Sequence, residues 1–163
     1  MARAQKKKTD EDDGIKLITR NRRAFHEYLI EDKLECGIAL TGTEVKSLRE
    51  GGTSLEDAYA RVDGGEVWLI GCDIPEYTFG HQLNHKPKRP RKLLMHRREI
   101  ARFADKAEQR GFTLVPLRMY FRNGRAKVEL AVARGKKEYD KRETTKKREA
   151  QREIRRAMTD RNR

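Results

Sequence analysis

Two hairpin signals and a sharp change of composition near residue 134 predict a mainly β protein with short helices, closed as a small antiparallel barrel and followed by a basic tail. The clearer hairpin lies at 112–133. There Val128, Leu130 and Val132 alternate as a half-buried strand requires, and Asn123-Gly124 is the strongest short turn signal. The other lies at 58–74, two apolar runs about Asp63-Gly64-Gly65. Five or six strands in about 120 residues favour closure, because closure removes exposed edges. Basic charge on such a barrel points to an oligonucleotide-binding-like fold with RNA as ligand.

The elements follow in order. Residues 1–14 read as a disordered extension, with four bases and four acids in the first thirteen residues and no apolar pattern. Residues 26–41 read as a strand with Tyr28, Ile30, Leu34, Ile38 and Leu40 at even spacing, and Gly37 marks a bulge or bend. A short helix begins after Thr43 as N-cap, buries Val45 and Leu48, and stops at Gly51-Gly52. After the first hairpin, residues 75–92 form a loop in which Lys86, Lys88, Arg89, Arg91 and Lys92 surround Pro87 and Pro90, a composition that does not pack into a core. Ile100, Phe103, Ala104 and Ala107 then mark an amphipathic helix closed by Gly111. The second hairpin completes residues 15–133 as one folded unit.

The chain carries a formal net charge of +13. Residues 134–163 contribute about +7 of it, with thirteen Lys and Arg against six acids, and residues 14–133 about +6. Both regions should attract phosphate backbones in a salt-dependent way. The tail has too few apolar residues to offset the entropy of ordering, so it is expected to be disordered when free. It nevertheless holds a latent helix, because Ala150, Ile154, Ala157 and Met158 share one stripe. Cys36 and Cys72 lack C-x-x-C spacing and read as buried thiols. The four His lack the spacing of a zinc finger, so neither metal nor cofactor is expected. No apolar run approaches the ~18 residues of a membrane span, and no h-region follows the basic N-terminus, so the chain reads as cytoplasmic and membrane-free.

Four runs carry a more specific reading. NRRAFHEY from Asn21, GTEVKSLREG from Gly42, RPRKLLMHRREI from Arg89 and VARGKKEYDKR from Val132 resemble, in this order and spacing, the SsrA-binding protein family, small protein B. The resemblance implies an oligonucleotide-binding-fold barrel that holds the transfer-RNA-like domain of transfer-messenger RNA and delivers it to stalled bacterial ribosomes for trans-translation. It implies RNA-facing residues Asn21, His26, Glu35, Leu94 and His96 on the barrel. On the tail it implies a ribosome-facing set of Lys136, Lys137, Asp140, Lys141 and Arg142, with the Tyr139 ring stacking on a decoding-centre base. Ile154 and Met158, on the apolar stripe, would join the tail's contacts in the empty messenger channel. The elongation factor that delivers aminoacylated RNA is a further implied partner, and the monomer is the default state. Met95-His96 stands where the family often reads L-N or L-H, and the acidic run at 10–13 has no assigned role.

The residues also admit blander roles. Glu35, an acid facing phosphate, makes sense only as an acceptor for base or sugar donors, or as an orienter of a neighbouring Arg. His26 could be a satisfied core histidine and Leu94 a core residue. An enzyme is the competing class, with His26, Glu27, Glu35 and His96 as acid and base of a metal-independent ribonuclease. No nucleophile motif or phosphate-cradling glycine loop accompanies them, so the chain reads as a non-enzyme. A structural ribosomal RNA-binding protein is the other alternative.

Overall fold

The computed structural model describes residues 14–161; the side chains of Glu138, Tyr139, Asp160 and Arg161 fall outside that description. So do the acidic run at 10–13 and the role expected of the Tyr139 ring. The described chain is a mainly antiparallel β structure with several short helices and one long one. Its strands are β1 (Ile15–Arg20), β2 (Tyr28–Ile38), β3 (Tyr59–Asp63), β4 (Glu66–Ile70), β5 (Arg91–Leu94), β6 (Phe112–Arg122) and β7 (Arg125–Gly135). Its helices are α1 (Arg22–Glu27), α2 (Gly42–Glu50), α3 (Arg97–Glu108) and α4 (Glu138–Arg161). The strands pair in the order β1-β6-β3-β4-β5-β2-β7, and β7 pairs again with β6.

Both predicted hairpins are present. Asn123 and Gly124 have φ of 50° and 76° and Gly64 and Gly65 of 58° and 75°, the left-handed backbone that two-residue hairpin turns need. The alternation in β6 and β7 explains the core. Val128, Leu130 and Val132 join Leu114, Met119, Leu69, Leu93 and the α3 residue Phe103 in the main cluster. Ala131 and Ala133 point the other way and, with Val115 and Leu117, receive Ala24 of α1. The end of β7 is therefore buried on both faces, which is why it reads as an almost unbroken apolar run. Cys36 and Cys72 are buried free thiols, and desolvation pushes them up to about 12 and about 11.

Several local expectations are corrected. Residues 22–27 are helical, so His26 sits on α1 and the strand begins at Tyr28. The N-cap of α2 is Thr41, not Thr43, because Glu44 reaches back to the Thr41 N–H at 2.8 Å in a capping box. The register shift in β2 falls between Ile30 and Asp32, and Gly37 serves close approach instead, since a Cβ there would lie 3.2 Å from Leu94 Cβ. The strand β1 was not anticipated.

The largest correction concerns the basic loop. Arg91 begins β5 and is wholly buried. Its Nε donates to Glu44 Oε1 at 2.8 Å, Nη1 to the Cys72 carbonyl at 2.7 Å and Nη2 to the Pro87 carbonyl at 2.9 Å. Arg89 donates to both Glu44 oxygens, at 3.2 and 2.8 Å. Burial opposes charge on Glu44, but the Arg89, Thr41 and Arg91 donors outweigh it and hold its carboxyl below the usual range. A buried carboxylate so fully bonded fastens α2 to the β5 segment.

Candidate nucleic-acid interface

The pairing of β5, β2, β7 and β6 brings charged and apolar side chains from distant sequence together. Gly37 pairs with Leu94 on one side and Lys127 on the other, Glu35 pairs with Glu129, and Lys127 pairs with Tyr120. In β6, Met119 and Phe121 join the main core cluster, so strand alternation turns Arg118, Tyr120 and Arg122 to the opposite face, where the Tyr120 ring is itself buried.

Glu35 is the organising group. Tyr120 Oη donates to its Oε2, and Arg122 Nη1 donates to the same oxygen at 2.6 Å. Its Oε1 accepts no hydrogen bond from the described residues, and the side chain is 30% exposed. Burial and the bond to Glu35 raise the Tyr120 phenol well above the ordinary tyrosine range, so it stays a donor at physiological pH. Arg118 bonds Glu129 at 2.9 Å and lies 5.1 Å from the Tyr120 ring centroid, with Arg122 at 5.8 Å. Both guanidinium groups thus lie within cation–π distance of the ring. Lys127 makes no ion pair among the described residues.

Beside this polar group Leu94 is 52% exposed. It lines a cleft of about 370 Å³ with Ile38, Leu40 and Phe121, which Arg125 and Lys127 also line. Two residues on, His96 is exposed at the N-cap of α3, where its N–H is accepted by Glu99 at 2.9 Å. Acceptor, cation and apolar ledge thus share one surface, the combination that base-edge and sugar recognition uses.

Comparison with known proteins decides the family. The SmpB protein family model matches residues 18–160. The chain belongs to the SmpB family. An SsrA-binding protein of Thermobifida fusca is 60% identical over 155 residues, covering 95% of this chain and 97% of that protein. One of Acidothermus cellulolyticus is 59% identical over 145 residues, covering 89% and 91%. A solved chain from "tmRNA-SmpB: a journey to the center of the bacterial ribosome" superposes with a TM-score of 0.64 at 50% identity, covering 74% of this chain and 85% of that one.

The expected site residues of this SmpB-family chain separate into two groups. Glu35, Leu94 and His96 lie on or beside the surface described. Asn21 does not face outward: it is 2% exposed, its Nδ2 donates to the Leu55 and Pro116 carbonyls at 3.0 and 3.1 Å, and its Oδ1 accepts from Ala24 N at 3.0 Å. It caps α1 and ties it to the sheet, which corrects its reading as an RNA-facing residue. His26 is exposed on the last turn of α1, so the core-histidine reading is set aside. Sequence reasoning missed Tyr120, Arg122 and Lys127. The signal available was the Arg-x-Tyr-x-Arg alternation on one face of β6.

The tail leaves from the same end of the fold as α1. Lys136 N–H donates to the Glu27 carbonyl at 2.8 Å and its Nζ to the Phe25 carbonyl at 3.3 Å. Lys137 precedes α4, and Asp140, Lys141 and Arg142 lie in its first turns. Ile154 and Met158 are 56% and 65% exposed on its outer part. Among the described residues no cluster of His, Cys, Asp and Glu is arranged to hold a metal, and no helix is long and apolar enough to cross a membrane.

Proposed function

We propose that this chain binds the transfer-RNA-like domain of transfer-messenger RNA and delivers it to stalled bacterial ribosomes for trans-translation, as a cytoplasmic, non-enzymatic monomer built on an oligonucleotide-binding-like barrel. The observation that carries the reading is the half-used carboxylate of Glu35. Its Oε2 is pinned twice while Oε1 accepts no hydrogen bond from the described residues, and strand register sets Glu35 near Leu94 and Lys127, which leaves an acceptor for a donor on a base or a ribose 2′-hydroxyl. Leu94 packs on the sugar or base face, and His96 extends the contact. The likeness to proteins named for SsrA binding, and to a chain solved with tmRNA, supplies the identity of the RNA.

The tail takes the second RNA. In the proposal its free form is disordered, and Lys136, Lys137, Tyr139, Asp140, Lys141 and Arg142 order it in the decoding centre, while Ile154 and Met158 bear on the wall of the vacant messenger channel. A helix of 24 residues spans roughly 36 Å, long enough for α4 to carry its outer residues to a second RNA surface. The elongation factor that delivers aminoacylated RNA completes the set of partners. The test is to sequence the RNA that co-purifies with the native protein from its own cell. Enrichment of one transfer-messenger RNA supports the reading; ribosomal RNA alone would overturn it in favour of a structural ribosomal protein.

A further inference from the structure

The loop between β4 and β5 shows a feature that the Glu35 surface and the tail leave unused. Phe79 is 68% exposed and Leu83 91% exposed, on a chain in which aromatic residues make up only 7%. The loop presenting them is pinned at both ends. Asn84 Oδ1 accepts from Tyr77 N at 3.1 Å and its Nδ2 donates to the Tyr77 carbonyl at 2.7 Å, closing residues 77–84 on themselves. His85, 7% exposed, anchors the closure through Thr43 Oγ1 at 3.0 Å and the Ile74 carbonyl at 2.9 Å, and Ser47 Oγ donates to the Pro75 carbonyl. The Phe79 ring stands edge-on to Tyr77, with centroids 5.7 Å apart, and Lys46 Nζ of α2 lies 5.5 Å from the Tyr77 centroid.

A cation behind one ring and a second ring turned to solvent form a stacking platform with its own counter-charge. Every nucleobase has a face that such a ring can cover. The surrounding charge selects the occupant. On α2 and this loop the exposed charged groups are Lys46, Arg49, Lys86 and Lys88 against Glu50 and Glu76, and neither Lys86 nor Lys88 makes an ion pair among the described residues. We propose that Phe79, with Leu83 beside it, is a second RNA contact that stacks on an unpaired nucleotide while Lys46, Lys86 and Lys88 meet its phosphates. It goes beyond the Glu35 reading and does not require it. The unpaired nucleotide belongs either to transfer-messenger RNA or to ribosomal RNA.

The test compares the full chain with Phe79→Ala, Phe79→Trp and Lys86→Gln/Lys88→Gln against two separate probes, purified transfer-messenger RNA and deproteinised small-subunit RNA, with Glu35→Ala in parallel. Phe79→Ala should weaken binding to one probe by roughly five- to hundredfold, the range of one stacked base. Phe79→Trp should restore it, and the double Lys variant should reduce the dependence of affinity on salt. The probe affected tells which RNA is the source. Unchanged affinity of Phe79→Ala for both probes, with an unchanged melting curve, overturns the proposal. Failure of the Glu35 reading is separately visible, as equal affinity of Glu35→Ala and the native chain for transfer-messenger RNA.

Discussion

Glu44 and Glu35 are two carboxylates gripped by cationic side chains, and they differ in how many of their oxygens are in use. Glu44 is wholly buried and both oxygens are bonded, to Arg89, Arg91 and the Thr41 N–H. Glu35 is 30% exposed and both of its bonds go to one oxygen. A saturated buried carboxylate has nothing left to offer a ligand, and removing it strands the groups around it. A half-saturated one at the surface is held in place with an acceptor to spare. Counting the donors on each oxygen therefore separates an acid that holds the fold from one that can recognise a partner.

The strongest way to break the comparison is at Glu44. Glu44→Ala leaves Arg91 buried without its counter-charge and should cost about 3–5 kcal/mol, enough to unfold much of the population. Urea denaturation followed by circular dichroism measures it, and a loss under ~1 kcal/mol would mean that water or a rearranged Arg89 replaces the carboxylate. The pH dependence has a definite sign. Because the folded carboxyl is held below its ordinary value, its contribution is present above that ordinary value and is lost as pH falls through the folded one. Glu44→Gln, where it folds, should lose stability at neutral pH and show a flatter acid limb than the native chain.

Asn21 is next. Its amide makes three buried hydrogen bonds and caps α1, so Asn21→Ala should destabilise the fold by ~2–3 kcal/mol. Where the variant is folded its affinity for transfer-messenger RNA should be close to native. A selective loss of RNA binding without loss of stability would return Asn21 to the interface.

These two residues also show what the sequence could and could not convey. Elements with strong local chemistry were legible: the turns at Asn123-Gly124 and Gly64-Gly65, the alternation of β7 and the apolar stripe of α3. The short and exposed ones were not. The six residues of α1 are too few to establish a helical period, and β1 has no buried residue and, among the described residues, pairs only with β6. Arg91 was read as a loop base because its burial depends on Glu44, 47 positions away. The site was partly legible in the same way. Glu35, Leu94 and His96, singled out by resemblance, lie on or beside one surface, whereas Tyr120, Arg122 and Lys127 join it only through strand register, which a single sequence does not print.

At Glu35 the effect should move from stability to recognition. Glu35→Ala should weaken specific RNA binding by ~1–3 kcal/mol while generic RNA binding barely changes, as filter binding on the two RNAs would reveal. Its stability cost should be below that of Glu44→Ala, because the stranded Arg122 can turn to water and a neutral hydroxyl, that of Tyr120, is left without its partner in place of a buried charge. Equal losses on both RNAs would make Glu35 a prop for the sheet and erase the distinction between the two acids.

The smallest and sharpest change is Tyr120→Phe. It removes one donor to Glu35 Oε2 and keeps the ring beside Arg118 and Arg122. If Tyr120 acts by fixing the carboxylate, specific affinity should fall by about 0.5–1.5 kcal/mol, the net worth of one hydrogen bond. The slope of log affinity against log salt should stay the same, since no phosphate contact is touched. Arg122→Gln provides the contrast. A guanidinium that only orients Glu35 leaves the slope unchanged when removed, whereas one that also meets a phosphate lowers it by roughly one. Parallel slopes for native, Tyr120→Phe and Arg122→Gln would establish both residues as orienters of the acceptor; a shallower slope for Arg122→Gln alone would place its charge on the RNA backbone.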